Sequence, residues 1–345
     1  MTEPLPVGKL PPELLASLLA SIGEGDDSVI IGPGPGRDAA AVRFGDRVLV
    51  LKTDPITFAH DAIGWYAVNV NANDIACMGA TPRWMLVSAL LPEGRTTPKL
   101  VEDIFAGLRA ACDAIGVRLV GGHTEITAGL DRPILVGQMI GEAAEEDLID
   151  PRRARPGDSV LLVQGIAIEG TALIAREFPE PLIERYGEPF VERCRQFLYD
   201  PGISVVTAAT VLQRALGRRL HALHDPTEGG LATGLRELGV AAGLGLTADW
   251  REIPYYPETN KICEAFGINA LGLIASGALL AVVAPGAVGA ALAALRNAGL
   301  SAARIGWMEE NPEYVRIIDG CLAIPLPTFP VDEFARLLAE SSPTA

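Results

Sequence analysis

The stretch NVNANDIACMGATP, residues 69 to 82, decides how this chain is read. Asn69, Asn71, Asn73 and Asp74 stand in a segment otherwise made mostly of Val, Ile, Ala, Cys and Met. From Asp61 to Met78 the pattern is helical, with Asp61 as a candidate N-cap, Gly79 just past the C-terminal cap and Pro82 beyond it. Successive residues of a helix turn by roughly 100°. Asn71, Asp74 and Met78 then share one side, and Asn69, Asn73 and Ala76 share nearly the opposite side. Such a helix is sandwiched, with polar groups on two faces. Buried amides need partners, so Asn69 and Asn73 can serve to tie neighbouring backbones together. A carboxylate as deep in apolar sequence as Asp74 needs a cation or several donors. A metal ion, bound directly or carried by a nucleotide, would supply it.

Other acids recur at the ends of regular elements. Asp38 precedes AAAVRF, Asp54 follows VLVLKT, Glu125 lies past VRLV in GGHTE, and Asp225 opens DPTEGG after LHALH. Each alone reads as a turn or cap residue. Together, with glycines beside them, they suit Mg²⁺, a hard cation that binds few carboxylates and keeps room for phosphate oxygens. Lys52 and Lys9, in VGKL, are the best placed cations for phosphate, and Lys9 reads equally well as a solvated surface residue. No GxxxxGK[ST] exists, which excludes a P-loop, and no GxGxxG opens a helix after a strand, which leaves a flavin or nicotinamide enzyme without support. In GPGPG, residues 32 to 36, Pro33 and Pro35 have no N–H to offer a phosphate, so the segment reads as a stiff loop that positions Arg37 and Asp38. Gly229 and Gly230, just before a helix, are better suited to an anion.

The chain has 345 residues and is 49% hydrophobic, enough for a large core and more consistent with two domains than one. A net charge of -15 and a pI near 4.8 disfavour a nucleic-acid backbone or an anionic membrane as partner. Five widely spaced cysteines, an odd number, point to reduced thiols, and the N-terminus lacks a secretory pattern; a cytoplasmic location is expected. The apolar run 271–295 is broken by glycines and Pro285, so it reads as core and not as a membrane span.

Strand and helix patterns alternate in both halves, which predicts an α/β or α+β fold. A helix is expected over 10–22, strands at AAAVRF and RVLVLKT around a Gly45-Asp46 turn, a strand at WMLVSALL and an amphipathic helix over 98–115 ended by Gly116. VRLV reads as a short buried strand running into GGHTEI, followed by the strand PILVGQMIGEA. DPRRARPGD marks a boundary near 150–157. Beyond it come the strand SVLLVQ, a helix after Glu169 and helices to about 216. LHALHDPTEGGLATGLREL then reads as strand, turn and helix; LLAVV, a helix at 286–298 and strands near 302–308 and 314–318 complete the pattern.

NDIACMGATP, GGHTEI, RPGD and DPTEGGL, in that order, resemble the aminoimidazole ribonucleotide (AIR) synthase superfamily over roughly residues 8 to 325. Its members include thiamine-monophosphate kinase, selenophosphate synthetase and a hydrogenase maturation factor. The resemblance implies a two-domain fold with an N-terminal ATP-binding domain, 1–155, a C-terminal α/β domain, 156–330, and a helix and tail, 331–345. It implies a homodimer, ATP and Mg²⁺ as cofactors, and a small-molecule acceptor. Residue by residue, it assigns Asp38, Asp54, Asp74 and Asp225 to metal binding, and Gly121, Gly122 and Thr124 to a Gly-Gly-x-Thr loop near the nucleotide. Asn71, Asn73 and Lys9 join the nucleotide set, while His123 and Glu125 are candidates for acid and base, an imidazole titrating near 6.5.

There are departures. Arg37 replaces the first aspartate of the family's paired acids, and His123 stands where relatives carry an acid. DPTEGGL is nearest the hydrogenase maturation factor, which carries its reacting group on a C-terminal cysteine. This chain ends ESSPTA, and Cys321, in IIDGCLAIP, is expected to be a packed thiol. Deletion of residues 341–345 is therefore expected to leave ATP binding unchanged. Two functions follow as expectations. One is an Mg-ATP-dependent enzyme that phosphorylates an amide- or carbonyl-type oxygen or passes phosphate to a small acceptor. The other is a nucleotide-binding accessory protein, without turnover, acting with a partner protein in metalloenzyme maturation.

Overall fold

The computed structural model describes residues 5, 10–22, 26–34, 37–59 and 61–341. Lys9, two residues of the GPGPG loop and the tail from residue 342 lie outside the described residues. Contacts divide the chain into two compact units, one of residues 24–33 and 38–148, the other of residues 1–23, 34–37 and 149–345. The helix α1 (Pro12–Ala20) belongs to the second of these.

In the first unit, hairpins and two helical crossovers build a mixed sheet. Its strands are β1 (Val29–Ile31), β2 (Ala40–Phe44), β3 (Arg47–Ile56), β4 (Thr81–Pro92), β5 (Arg118–Thr127) and β6 (Ile134–Ala143), in the order β1-β2-β3-β6-β4-β5. Within this sheet, among the described residues, only the β4–β5 pair is parallel, and the helix α3 (Pro98–Ile115) links the two strands. α3 starts as its sequence asks, with Thr97 Oγ1 accepting the Leu100 N–H at 3.2 Å, and stops at Gly116 in the left-handed region.

The helix α2 (Ile63–Cys77) packs on β3, β6 and β4 with α3 on it, so nearly every one of its residues is buried. The sandwiched helix is therefore as expected, but its start is not: Ala62, not Asp61, takes the N-cap position, in a left-handed conformation. β5 also corrects the reading of a short buried strand running into a loop. It is one continuous strand through the GGHTEI segment, lies at an end of the sheet and is exposed along most of its length. Gly122 is what allows this pairing. Its φ is +148°, and a Cβ there would lie 1.9 Å from the Val87 carbonyl oxygen on β4.

The second unit holds a mixed seven-stranded sheet among the described residues. Its strands are β7 (Ser159–Val163), β8 (Leu220–His224), β9 (Gly245–Asp249), β10 (Leu279–Val283), β11 (Ala302–Glu309), β12 (Val315–Asp319) and β13 (Leu322–Pro325), in the order β13-β12-β9-β11-β7-β10-β8. Besides α1, its α-helices are α4 (Ile168–Glu177), α5 (Pro179–Tyr186), α6 (Glu188–Gln196), α7 (Val206–Leu216), α8 (Gly230–Ala242), α9 (Pro257–Phe266), α10 (Val288–Asn297) and α11 (Glu333–Ser341). β7 and β10 are buried throughout, which explains their unbroken apolar sequences. Residues 271–283 are thus core, whereas α10 leaves one face exposed, and no helix among the described residues is long and apolar enough to cross a membrane. β9, β13 and α9 are additions to the expected elements. Cys77, Cys112, Cys194 and Cys263 are buried free thiols, whereas Cys321 is exposed at the β12–β13 turn, which corrects its reading as packed.

Candidate functional site

β3 and α2 bring a lysine and its carboxylates together in the first unit. Lys52 and Asp54 are two positions apart on β3 and so face the same way. α2 lays Asp74 against them. Lys52 Nζ lies 3.1 Å from Asp74 Oδ2 and 3.6 Å from Asp54 Oδ2. Burial opposes the lysine's charge, but Asp74, then Asp54, then Asp38 outweigh it and hold the ammonium above the ordinary lysine range. Three of the four aspartates expected to bind metal thus act on one ammonium. Asp54 is the open member, with a third of its side chain exposed (34%), while Asp74 is nearly closed (8%).

The asparagines lie beneath this set. Asn71 Nδ2 donates to Ala67 O at 2.9 Å and to Asp54 O at 3.3 Å, so it fixes the backbone that carries Asp54. Gly137, opposite Asp54 on β6, makes room for it: a Cβ at Gly137 would lie 2.3 Å from Asn71 Nδ2. Asn69 Nδ2 donates to Trp65 O at 2.9 Å. Asn71 and Asn73 are wholly closed to solvent, so in this structure neither presents an atom to a ligand. In this structure Asn71 supports the backbone that carries Asp54.

His123 and Glu125 sit two positions apart on β5, facing the same side. His123 Nε2 is 3.2 Å from Glu125 Oε2, and Thr127 Oγ1 donates to Glu125 Oε1 at 2.8 Å. The Thr127 hydroxyl, and then His123, hold Glu125 below the usual carboxylate range. Both side chains are largely exposed, as are Gly121, Gly122 and Thr124.

In the second unit, Asp225 follows β8 and is buried with its neighbour His224, whose Nε2 lies 3.1 Å from Glu237 Oε2 on α8. Gly229 and Gly230 form the expected turn into α8, both with positive φ. The anion at that turn comes from the chain itself. Asp332 Oδ2 accepts the Gly229 N–H at 2.7 Å, and its Oδ1 accepts the Phe334 N–H at 2.7 Å, which starts α11. Burial pushes Asp332 up to about 7, against those two hydrogen bonds and with the added charges of Glu228 and Glu333. Burial likewise pushes Glu169, on the first turn of α4, up to about 7; Ser276 opposes the rise and Asp332 adds to it. Asp332, Glu169, Ser276 and His224 were not singled out from the sequence as site residues. DPTEGG was the signal near His224; nothing local marks the others.

The chain matches the AIR synthase related protein N-terminal domain over residues 36–143 and the C-terminal domain of the same family over residues 155–319. It is 31% identical over 294 residues to the carbamoyl dehydratase HypE of Cupriavidus necator, covering 83% of this chain and 80% of that one. It is 31% identical over 250 residues to the thiamine-monophosphate kinase of Archaeoglobus fulgidus, covering 70% of this chain and 77% of that one. In fold it resembles the crystal structure of the hydrogenase maturation protein HypE in complex with ATP, with a TM-score of 0.70, 23% identity, and coverage of 92% of this chain and 91% of that one. Two family domains in sequence order, the mixed sheet of each unit and relatives matched along most of the length agree: this chain belongs to the AIR synthase related family.

Proposed function

We propose that this chain is an Mg-ATP-dependent enzyme that phosphorylates an amide- or carbonyl-type oxygen, or passes phosphate to a small acceptor. The observation that carries the reading is the Lys52–Asp54–Asp74 set, a cation and carboxylates gathered at the junction of a strand and a buried helix. Relatives named for a dehydratase and a kinase, and a structural neighbour with ATP, support it. Hard oxygen donors suit Mg²⁺, and Asp54 and the half-exposed Asp38 fit it best, because Asp74 is nearly closed to solvent and is the nearer partner of Lys52. Mg²⁺, when bound, screens the charge of the triphosphate.

In this reading the residues of the chain position and neutralise. Lys52 offers its ammonium to a phosphate oxygen, and Asn71 keeps Asp54 in place. Asp225, in the second unit, is a further candidate to hold metal. His123 and Glu125 are the candidates to hold or move a proton on the exposed face of β5. The unit of residues 24–33 and 38–148 is the nucleotide-binding part. Four buried free thiols fit a reducing, cytoplasmic setting. Calorimetry with ATP in the presence and absence of Mg²⁺, followed by assays of phosphate transfer to a panel of amides and small alcohols, tests the proposal. Metal-dependent binding and turnover with one acceptor class are expected. Binding without turnover would favour the accessory role in metalloenzyme maturation, and absence of binding would overturn both.

We further propose a homodimer joined through the first unit. β5 ends its sheet with Val120 (56% exposed) and Ile126 (63%) uncovered, an edge that a second copy or a maturation partner would protect. Light scattering at micromolar concentration should give twice the 36.3 kDa chain mass; a monomer would contradict it.

A further inference from the structure

Like charges held close together cannot all ionise without a counter-charge. The carboxylates that meet at β3 and α2 have one that is covalently part of the chain. Lys52 Nζ is 3.1 Å from Asp74 Oδ2 and 3.6 Å from Asp54 Oδ2, and its side chain is only 21% exposed. An ammonium is a compact point charge, and here its stem is fixed in the middle of a ten-residue strand paired on both sides. A divalent ion would need direct contact with the same oxygens, at about 2.0–2.1 Å for Mg²⁺. It would therefore have to displace Lys52 from Asp74 and would meet its charge on approach.

We propose that Lys52 is a resident cation, standing in place of one divalent ion at Asp54 and Asp74. It makes this carboxylate set largely indifferent to free metal until a triphosphate brings its own. The second statement rests on the nucleotide reading above; the first does not.

The test is a titration of metal-free protein with Mn²⁺, without nucleotide, followed by electron paramagnetic resonance. Lys52→Met is expected to bind one more ion than the unsubstituted chain, or to bind at the shared site at least tenfold more tightly. Lys52→Arg should behave as the unsubstituted chain does. Asp54→Asn placed on Lys52→Met should remove the gain. Equal titrations for Lys52→Met and the unsubstituted chain would overturn the proposal, as would a gain in Lys52→Arg. If Lys52→Met melts in metal-free buffer, millimolar Mn²⁺ should restore its melting transition, and failure to do so counts against the proposal equally. A calorimetric arm with Mg-ATP keeps the two readings apart. Lack of ATP binding by the unsubstituted chain would sink the nucleotide reading and leave the Mn²⁺ result standing.

Discussion

Asp74→Asn is expected to weaken metal-dependent ATP binding at least tenfold, about 1.4 kcal/mol or more. The asparagine keeps the size of the side chain and its place on α2, but removes the charge that faces Lys52 at 3.1 Å. The lysine retains Asp54 at 3.6 Å and the field of Asp38, so it is not left buried without a counter-charge. Three carboxylates beside one ammonium become two, which leaves less negative charge for an incoming metal. The fold should survive, because α2 is held by its apolar contacts with the sheet and with α3. Calorimetry with Mg-ATP and a thermal melt on the same sample separate the two effects. Equal affinity in both proteins would contradict the role given to Asp74.

The second large effect concerns stability against pH. Glu169 has a pKa of about 7 in the folded chain, raised from 4.5 by burial. Between those two values the unfolded chain has released this proton while the folded chain still holds it. Stability contributed by the neutral group is therefore complete below about pH 4.5 and is lost as pH rises through 7. The loss is on the order of 3 kcal/mol at alkaline pH. Asp332, raised from 3.8 to about 7, acts in the same direction. Glu169→Gln keeps the shape and cannot ionise. It should match the unsubstituted chain near pH 4.5 and exceed it at pH 8 by a few kcal/mol in urea unfolding. Parallel pH profiles for the two proteins would refute the assignment.

Much of the first unit was legible because its signals are local. Short apolar-rich runs marked β3 and β4, and Gly116 marked the end of α3. The polar residues of α2 announced a special helix. Their division of labour was not legible, since Asn71 serves Asp54 across a contact that depends on a glycine of β6. β5 misled for a physical reason. VRLV has the composition of a buried strand, but its place at the end of the sheet decides its exposure, and sheet order is not written in a single strand. Lys52 was visible as a cation, yet its pairing with Asp74 requires α2 to pack on β3. Asp332 and Glu169 were hidden for the same reason: the groups that perturb them arrive from other segments of the chain.

The bond from the Gly229 N–H to Asp332 joins residues 103 positions apart. During synthesis, β8 and the DPTEGG turn leave the ribosome long before α11 exists. Closing so long a loop costs entropy that only the finished packing can offset. The turn that presents Asp225 therefore gains its final lock late, when the last helix docks. Removal of α11 would take from this turn a lock that comes from a distant part of the chain.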